Sequence, residues 1–222
     1  MTWAERFRAL RVDVTPLRTS RDFRLLWIAG TVFYLGGMVS YVAVPFLVYR
    51  LTGSNFAVGA IALVELGRSP ALLDRARSAA SSGDDDFLEA VLKEAMRLHP
   101  IIPMVVRTLM KPATIGGYSL PAGVTVGPSI LIAHSRPDNH PDPELFDPSR
   151  FLGHNPPTNT WIPFGGGVRR CIGAGFSLME GVAVLREVLS SYDVAAVGDD
   201  LPKVRNITSV PRRGAKVRVT AH

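Results

Sequence analysis

A chain of 222 residues that is 47% apolar and 20% charged holds enough apolar material for one good core or two small ones, which excludes disorder of the whole. Its single cysteine excludes an internal disulfide and leaves any metal site built on cysteine with a single thiolate ligand. The formal charge of +6, from 25 basic and 19 acidic residues, permits an anionic partner, yet the arginines form no stripe interleaved with aromatics, so no nucleic-acid partner is expected.

At the N-terminus Arg6, Arg8, Arg11, Arg18, Arg21 and Arg24 stand against Glu5, Asp13 and Asp22. They precede Leu25 to Tyr49, "LLWIAGTVFYLGGMVSYVAVPFLVY", a stretch without a charged residue. At helical rise it exceeds the ~30 Å hydrocarbon thickness of a bilayer. The expectation is one transmembrane helix at about 25–49, with the arginine-rich end cytoplasmic. That makes a single-pass membrane protein with everything after Arg50 on the far side. A return crossing is not expected, because the apolar stretch from Phe56 to Val64 falls short of the ~17 residues that a span needs. Ser20 to Leu63, with its LTGS turn, resembles the first transmembrane helix and following turn of major facilitator superfamily exporters. The resemblance implies a transporter-like membrane segment over 1–64. Since the apolar run stops at Glu65, it implies an anchor rather than transport.

From Glu65 the pattern is that of a water-facing protein. "ELGRSPALLDRARSAASSGDDD" reads as an amphipathic helix ending in a polar linker. Asp86, with Glu89 three residues on, makes a capping-box-like start for a helix carrying Leu88, Val91, Leu92 and Ala95 at helical spacing. On it, Glu94 and Arg97 lie on one face and can pair. After Pro100, "VVRTLM", "GGYSLPAG" and "VTVGPSI" suggest a small antiparallel sheet. Proline-rich loops occupy 136–163. A last helix from about Gly173 to Ser190, apolar at Phe176, Met179, Val182, Ala183 and Leu185, is expected to be buried on most faces. The fold class is therefore mainly α with a small antiparallel sheet, preceded by one transmembrane helix.

The cysteine sits in "WIPFGGGVRRCIG", where Phe164, Gly167, Arg169, Cys171 and Gly173 stand in the order F-x-x-G-x-R-x-C-x-G. This resembles the proximal haem loop of the cytochrome P450 family. Two further segments, in the family's order, support the likeness: "KEAMRLHP", similar to its E-x-x-R helix with Glu94 and Arg97, and "DPELFDPSRF", similar to its P-x-R-F segment with Arg150. The likeness covers 65–222 and implies a haem-binding portion whose cofactor is haem b. It implies Cys171 as axial iron ligand, and Glu94, Arg97 and Arg150 as a structural lock. Arg107, Arg169 and His134 follow as partners of the haem propionates. His99, His140, His154 and His222 show no ligand spacing and read as ordinary surface residues.

These residue types suit the chemistry. A thiolate ligand pushes electron density into the iron and favours O–O cleavage, and a helix start can hold it ionised. Gly165, Gly166 and Gly167 let the backbone lie flat beneath a macrocycle, Phe164 would shield the sulfur, and arginine forks suit carboxylates. The resemblance further implies a monooxygenase acting on an apolar organic molecule, with electrons from a ferredoxin or flavoprotein reductase. The family's distal helix carries an acid and a threonine that guide protons. Here "GSNFAVGAIALV" precedes "ELGRSP" with neither at the needed place. The expectation is thus a truncated, poorly active module, joined to the membrane segment between Asn55 and Glu65. The alternative is a non-catalytic membrane-anchored fusion fragment of a transporter and an oxygenase.

Overall fold

The computed structural model describes residues 19–25, 27–31, 54–153, 155–198, 202–205 and 208–221, in two units, Met1–Gly53 and Ser54–His222. In the first, the Ser20 hydroxyl accepts from the Phe23 amide at 3.2 Å and its carbonyl from the Arg24 amide at 3.1 Å. The chain is helical at 21–25 and 27–31, with Trp27 and Ile28 exposed.

The single-pass membrane placement is corrected by the structure: no helix among the described residues is long and apolar enough to cross a membrane. The helix Ser54–Arg68 has 15 residues, about 22 Å at helical rise against a hydrocarbon layer of ~30 Å. The 18-residue helix Ala174–Ser191 carries Glu180, Arg186 and Glu187. Of the expected span at 25–49, Leu26 and 32–49 lie outside the described residues.

The second unit runs α1 (Ser54–Arg68), α2 (Pro70–Ser82), α3 (Asp85–Leu98), β1 (Arg107–Thr108), β2 (Ala113–Ile115), β3 (Tyr118–Leu120), β4 (Thr125–Val126), α4 (Ile130–Ser135), α5 (Ala174–Ser191), β5 (Tyr192–Ala196), β6 (Pro202–Arg205), β7 (Thr208–Pro211) and β8 (Val217–Ala221). Helix α1 runs unbroken across the interval from Asn55 to Glu65. Pro70, which needs no amide partner in a first turn, opens α2, and Gly83 ends it in the left-handed conformation at φ +76°. The cap of α3 is Asp84, whose side chain accepts from the Phe87 amide at 3.2 Å. This is two residues earlier than the expected Asp86, because any of three consecutive aspartates can cap and the chain reverses at Gly83. Glu89 turns outward to Lys93 at 2.6 Å instead of reaching back to a cap.

Phe87, Leu88, Val91, Leu92 and Ala95 of α3 form the centre of the core, with Ala62, Leu66 and Val64 of α1 and Leu185 and Leu189 of α5. Helix α5 buries one stripe, Ala174, Val182, Leu185 and Leu189, rather than most faces. Phe176 and Met179 stand 62% and 64% exposed. In place of one small sheet, the described residues form four antiparallel ribbons, β1 with β4, β2 with β3, β5 with β8 and β6 with β7. The β2–β3 hairpin turns through Gly116 and Gly117, both at positive φ, a conformation that costs glycine little.

Glu65 ends the apolar face of α1 as a buried side chain. Its Oε1 accepts from Arg68 Nη1 at 2.9 Å and lies 3.0 Å from His99 Nε2. Burial works to raise its pKa, but the hydrogen bonds and charges of His99 and Arg68 outweigh it and hold the carboxyl below its ordinary value. His99 is therefore a link between α1 and the end of α3 rather than a plain surface residue.

The end of α1 meets β5 so closely that a Cβ on Gly67 would lie 2.6 Å from the Ala196 amide nitrogen, whereas one on Gly59 would meet only Val184 Cγ1 at 3.9 Å. Gly67→Ala is expected to destabilise the unit by about 1–3 kcal/mol through the forced backbone shift. Gly59→Ala is expected to stabilise it by about 0.5–1 kcal/mol through helix propensity. Denaturant unfolding of the two variants checks the opposite signs.

Candidate functional site

The site is built outward from α3. Glu94 and Arg97 are three residues apart on its buried face, with side chains 0% and 1% exposed. The guanidinium grips the carboxylate with two hydrogen bonds, Nε to Oε2 at 2.7 Å and Nη2 to Oε1 at 2.8 Å, the paired geometry that makes arginine–carboxylate contacts strong. Arg97 then donates from Nη1 to the His134 carbonyl at 3.0 Å and from Nη2 to the Leu145 carbonyl at 3.1 Å. Glu94 Oε1 also accepts from the Asp147 amide at 2.9 Å. Arg150 is placed less tightly: its Nε is 3.4 Å from Glu94 Oε1 without a hydrogen bond, and its Nη2 donates to the Asp142 carbonyl at 2.9 Å. One ion pair thus fixes α4 and the 142–150 loop to α3.

Above this base lies a file of rings. Phe164 meets Trp161 edge-on at 6.1 Å, Trp161 lies 5.6 Å from Phe151, and Phe151 lies 6.5 Å from His140. The indole Nε1 donates to the Lys93 carbonyl at 3.1 Å, pinning the start of the glycine loop to α3. His140, 3% exposed, hydrogen-bonds the Thr160 carbonyl through Nε2 at 2.9 Å. Burial is the main cause that pushes its pKa below the ordinary value, against the hydrogen bond to Thr160. It is not the surface histidine expected; His154 and His222 lie outside the described residues.

His134 is placed elsewhere than the resemblance implies. It is 1% exposed. Its Nδ1 donates to the Arg97 carbonyl at 3.2 Å, and its Nε2 accepts from the Ile162 amide at 2.9 Å. Both ring nitrogens are spent on backbone, which leaves none for a propionate. Burial holds its pKa at about 4, with the charges of His140 and Arg97 acting in the same direction and the hydrogen bond to Arg97 against it.

The loop itself is a chain of tight turns. The Gly165 amide donates to the Ile162 carbonyl and the Cys171 amide to the Phe164 carbonyl, both at 2.9 Å. Gly165 and Gly167 hold φ at +69° and +65°, where a side chain would be strained. A 3-10 turn, Gly167–Arg169, leads to Cys171, which is exposed. Gly173 is the N-cap of α5, and a Cβ placed there would lie 3.7 Å from Cys171 Sγ. The sulfur therefore sits at the positive end of an 18-residue helix. Arg107 on β1 and Arg169 on the loop are exposed; Arg107 Nη1 donates to the Val106 carbonyl at 2.8 Å.

An open thiol at a helix start, glycines that keep the loop low, two exposed guanidiniums and exposed Val106 and Ile172 form a donor set that fits a flat, apolar, dianionic macrocycle with a thiolate-ligated metal. No group of three His, Cys, Asp or Glu among the described residues forms a protein-only metal site. Sequence reasoning missed Trp161, His140, Asp147 and the actual place of His134. Trp161, His140 and His134 bond to backbone groups, and Asp147 reaches Glu94 through its own amide; main-chain groups carry no residue signature.

A family model for cytochrome P450 matches residues 83–219. The chain is 49% identical over 160 residues to putative cytochrome P450 135A1 of Mycobacterium tuberculosis, covering 71% of this chain and 36% of that protein. It is 42% identical over 168 residues to putative cytochrome P450 135B1 of Mycobacterium bovis, covering 72% and 36%. It thus spans about a third of the length of these relatives. Among solved structures, retinoic acid bound cyanobacterial CYP120A1 superposes with a TM-score of 0.68 at 27% identity, over 76% of this chain and 42% of that one. The cytochrome P450 CYP102L1 has a TM-score of 0.67 and, at 24% identity, shares the fold.

Two outcomes follow from this geometry. Arg97→Ala leaves Glu94 buried without its partner and is expected to cost about 3–5 kcal/mol, while Arg150→Ala, which leaves the bidentate pair intact, is expected to cost about 1–2 kcal/mol. Denaturant titrations compare the two. The depressed pKa of His134 means that the unfolded chain binds its proton first. Stability is therefore whole above pH 6.5 and falls as the pH drops toward 4, by about 3 kcal/mol at ~1.4 kcal/mol per unit. Unfolding free energies measured over that window should slope less in His134→Gln than in the natural chain.

Proposed function

The chain belongs to the cytochrome P450 family, and from that premise we propose that its C-terminal part is the haem-binding, thiolate side of a monooxygenase. Members of the family bind haem, and haem b is the cofactor its residues fit. Cys171 is the axial ligand in this reading, held at the start of α5, where the helix dipole favours the anion. Phe164, half-buried and packed edge-on against Trp161, covers the sulfur from the loop side. Gly165 and Gly167 keep Cβ atoms out of the way of the ring, while Arg107 and Arg169 receive the two propionates. Glu94, Arg97 and Arg150 hold the base on which the loop rests. Bound there, the haem supplies iron chemistry that activates oxygen with electrons from a redox protein.

A ferredoxin or flavoprotein as that electron donor, and an apolar organic molecule as substrate, belong to the same proposal. The single observation that carries it is the exposed thiol at the N-terminus of α5, in a loop with two glycines at positive φ. The resemblance of Ser20 to Leu63 to a transporter concerns residues outside the 83–219 match and adds nothing to this reading.

Haem reconstitution of the full chain tests it. The reduced, carbon-monoxide-bound protein is expected to show the red-shifted Soret band of a thiolate ligand, and Cys171→Ala to lose it. A histidine-type spectrum unchanged by that substitution would refute the ligand, and no uptake of haem at all would favour the non-catalytic alternative.

A further inference from the structure

We propose that His134 is the positioning residue of the cysteine loop, fixing through its two ring nitrogens where the loop starts relative to α3 and thereby where Cys171 Sγ stands. This deepens the haem–thiolate reading and rests on it for its spectroscopic test.

Three hydrogen bonds connect the ring to the cysteine. His134 Nε2 accepts from the Ile162 amide at 2.9 Å. The Ile162 carbonyl accepts from the Gly165 amide, and the Phe164 carbonyl from the Cys171 amide, both at 2.9 Å. At the other end the ring is held reciprocally: Nδ1 donates to the Arg97 carbonyl at 3.2 Å, and the Arg97 guanidinium donates to the His134 carbonyl at 3.0 Å. Helix α4, which carries it, is itself fastened. Ser129 Oγ accepts from the Ile132 amide at 3.2 Å, and Asn139 Nδ2 donates to the Ala133 carbonyl at 2.7 Å.

The chemistry calls for a neutral imidazole. A donor must face Arg97 and an acceptor must face Ile162 across a rigid ring, and only the Nδ1–H tautomer offers both. An apolar replacement would leave the Ile162 amide and the Arg97 carbonyl buried and unpaired, which is costly. The Trp161 indole anchors the neighbouring residue to Lys93, so losing His134 frees one of two adjacent anchors and lets the loop shift without detaching.

The test uses the full chain with His134→Leu, His134→Asn and His134→Gln. Asparagine keeps a donor near the Nδ1 position but lacks an acceptor at the Nε2 position; glutamine can place its carbonyl oxygen there. Two readouts are taken: amide hydrogen exchange at Ile162 without haem, and the thiolate-type share of the ferrous carbon-monoxide spectrum after haem reconstitution. Leucine and asparagine are expected to speed Ile162 exchange by about tenfold or more and to convert much of the thiolate-type band to the blue-shifted form. Glutamine is expected to restore both toward the natural chain. If leucine or asparagine variants that fold keep the natural thiolate-type share, or if glutamine behaves as asparagine does, the proposal is overturned. A natural chain without any thiolate-type band would instead defeat the haem–thiolate reading, while the exchange rates still decide whether His134 holds Ile162.

Discussion

A carboxylate with no exposed surface cannot be left half-satisfied, and the second unit is organised around that constraint. Glu94 alone would be an isolated buried charge, at a cost no single core contact could offset. Arg97 answers it with two hydrogen bonds, but a guanidinium has five N–H donors, and those left over must also find acceptors. Two of the remaining three find the carbonyls of His134 and Leu145. The first lies near the end of the short helix α4 and the second in the loop that follows it. The pair therefore recruits loops: its residual hydrogen-bonding capacity decides where the chain between 134 and 150 can lie.

The same logic is repeated one layer up. Trp161 and His134 each spend a ring nitrogen on a backbone group near the beginning of the glycine loop or under it. The loop then needs few contacts of its own, and its glycines can take the conformations that keep it thin. Rigidity is supplied from beneath, so that the upper side, with Cys171, Val168 and Ile172, stays bare. A face left uncovered by the elements that fix it suits the haem placement proposed above.

How much of this could be read from residues alone depended on whether the signal was local. The helix bearing Glu94 and Arg97 was visible because its apolar positions recur at helical spacing, and the cysteine loop because five spaced residues leave little room for coincidence. The cap was misplaced because Asp84, Asp85 and Asp86 are equivalent to a pattern, and only the turn at Gly83 selects among them. Phe176 and Met179 looked buried because an apolar residue on a helix announces burial without saying against what. His134 was assigned by its place in a motif, whereas its role is set by two main-chain groups, Arg97 O and Ile162 N–H, to which sequence is blind. The membrane expectation rested on a charge-free run, most of which lies outside the described residues, and among the described residues no helix is long and apolar enough to cross a membrane.

The hydrogen bonds around the buried pair also differ greatly in loop length, and that orders their formation. Glu94 and Arg97 are one helical turn apart, so they meet as soon as α3 forms, on the sub-microsecond scale of helix growth. Their acceptors at His134 and Leu145 close loops of 37 and 48 residues, and the Trp161 anchor closes one of 68. Each step costs more chain entropy than the last, though only logarithmically. In chain order α3 precedes those acceptors, and the cysteine loop follows every anchor that holds it. Strand β8, which pairs with β5, follows the loop. The anchors thus precede in the chain the loop they hold, so synthesis delivers the support before the part it supports, an order in keeping with low frustration.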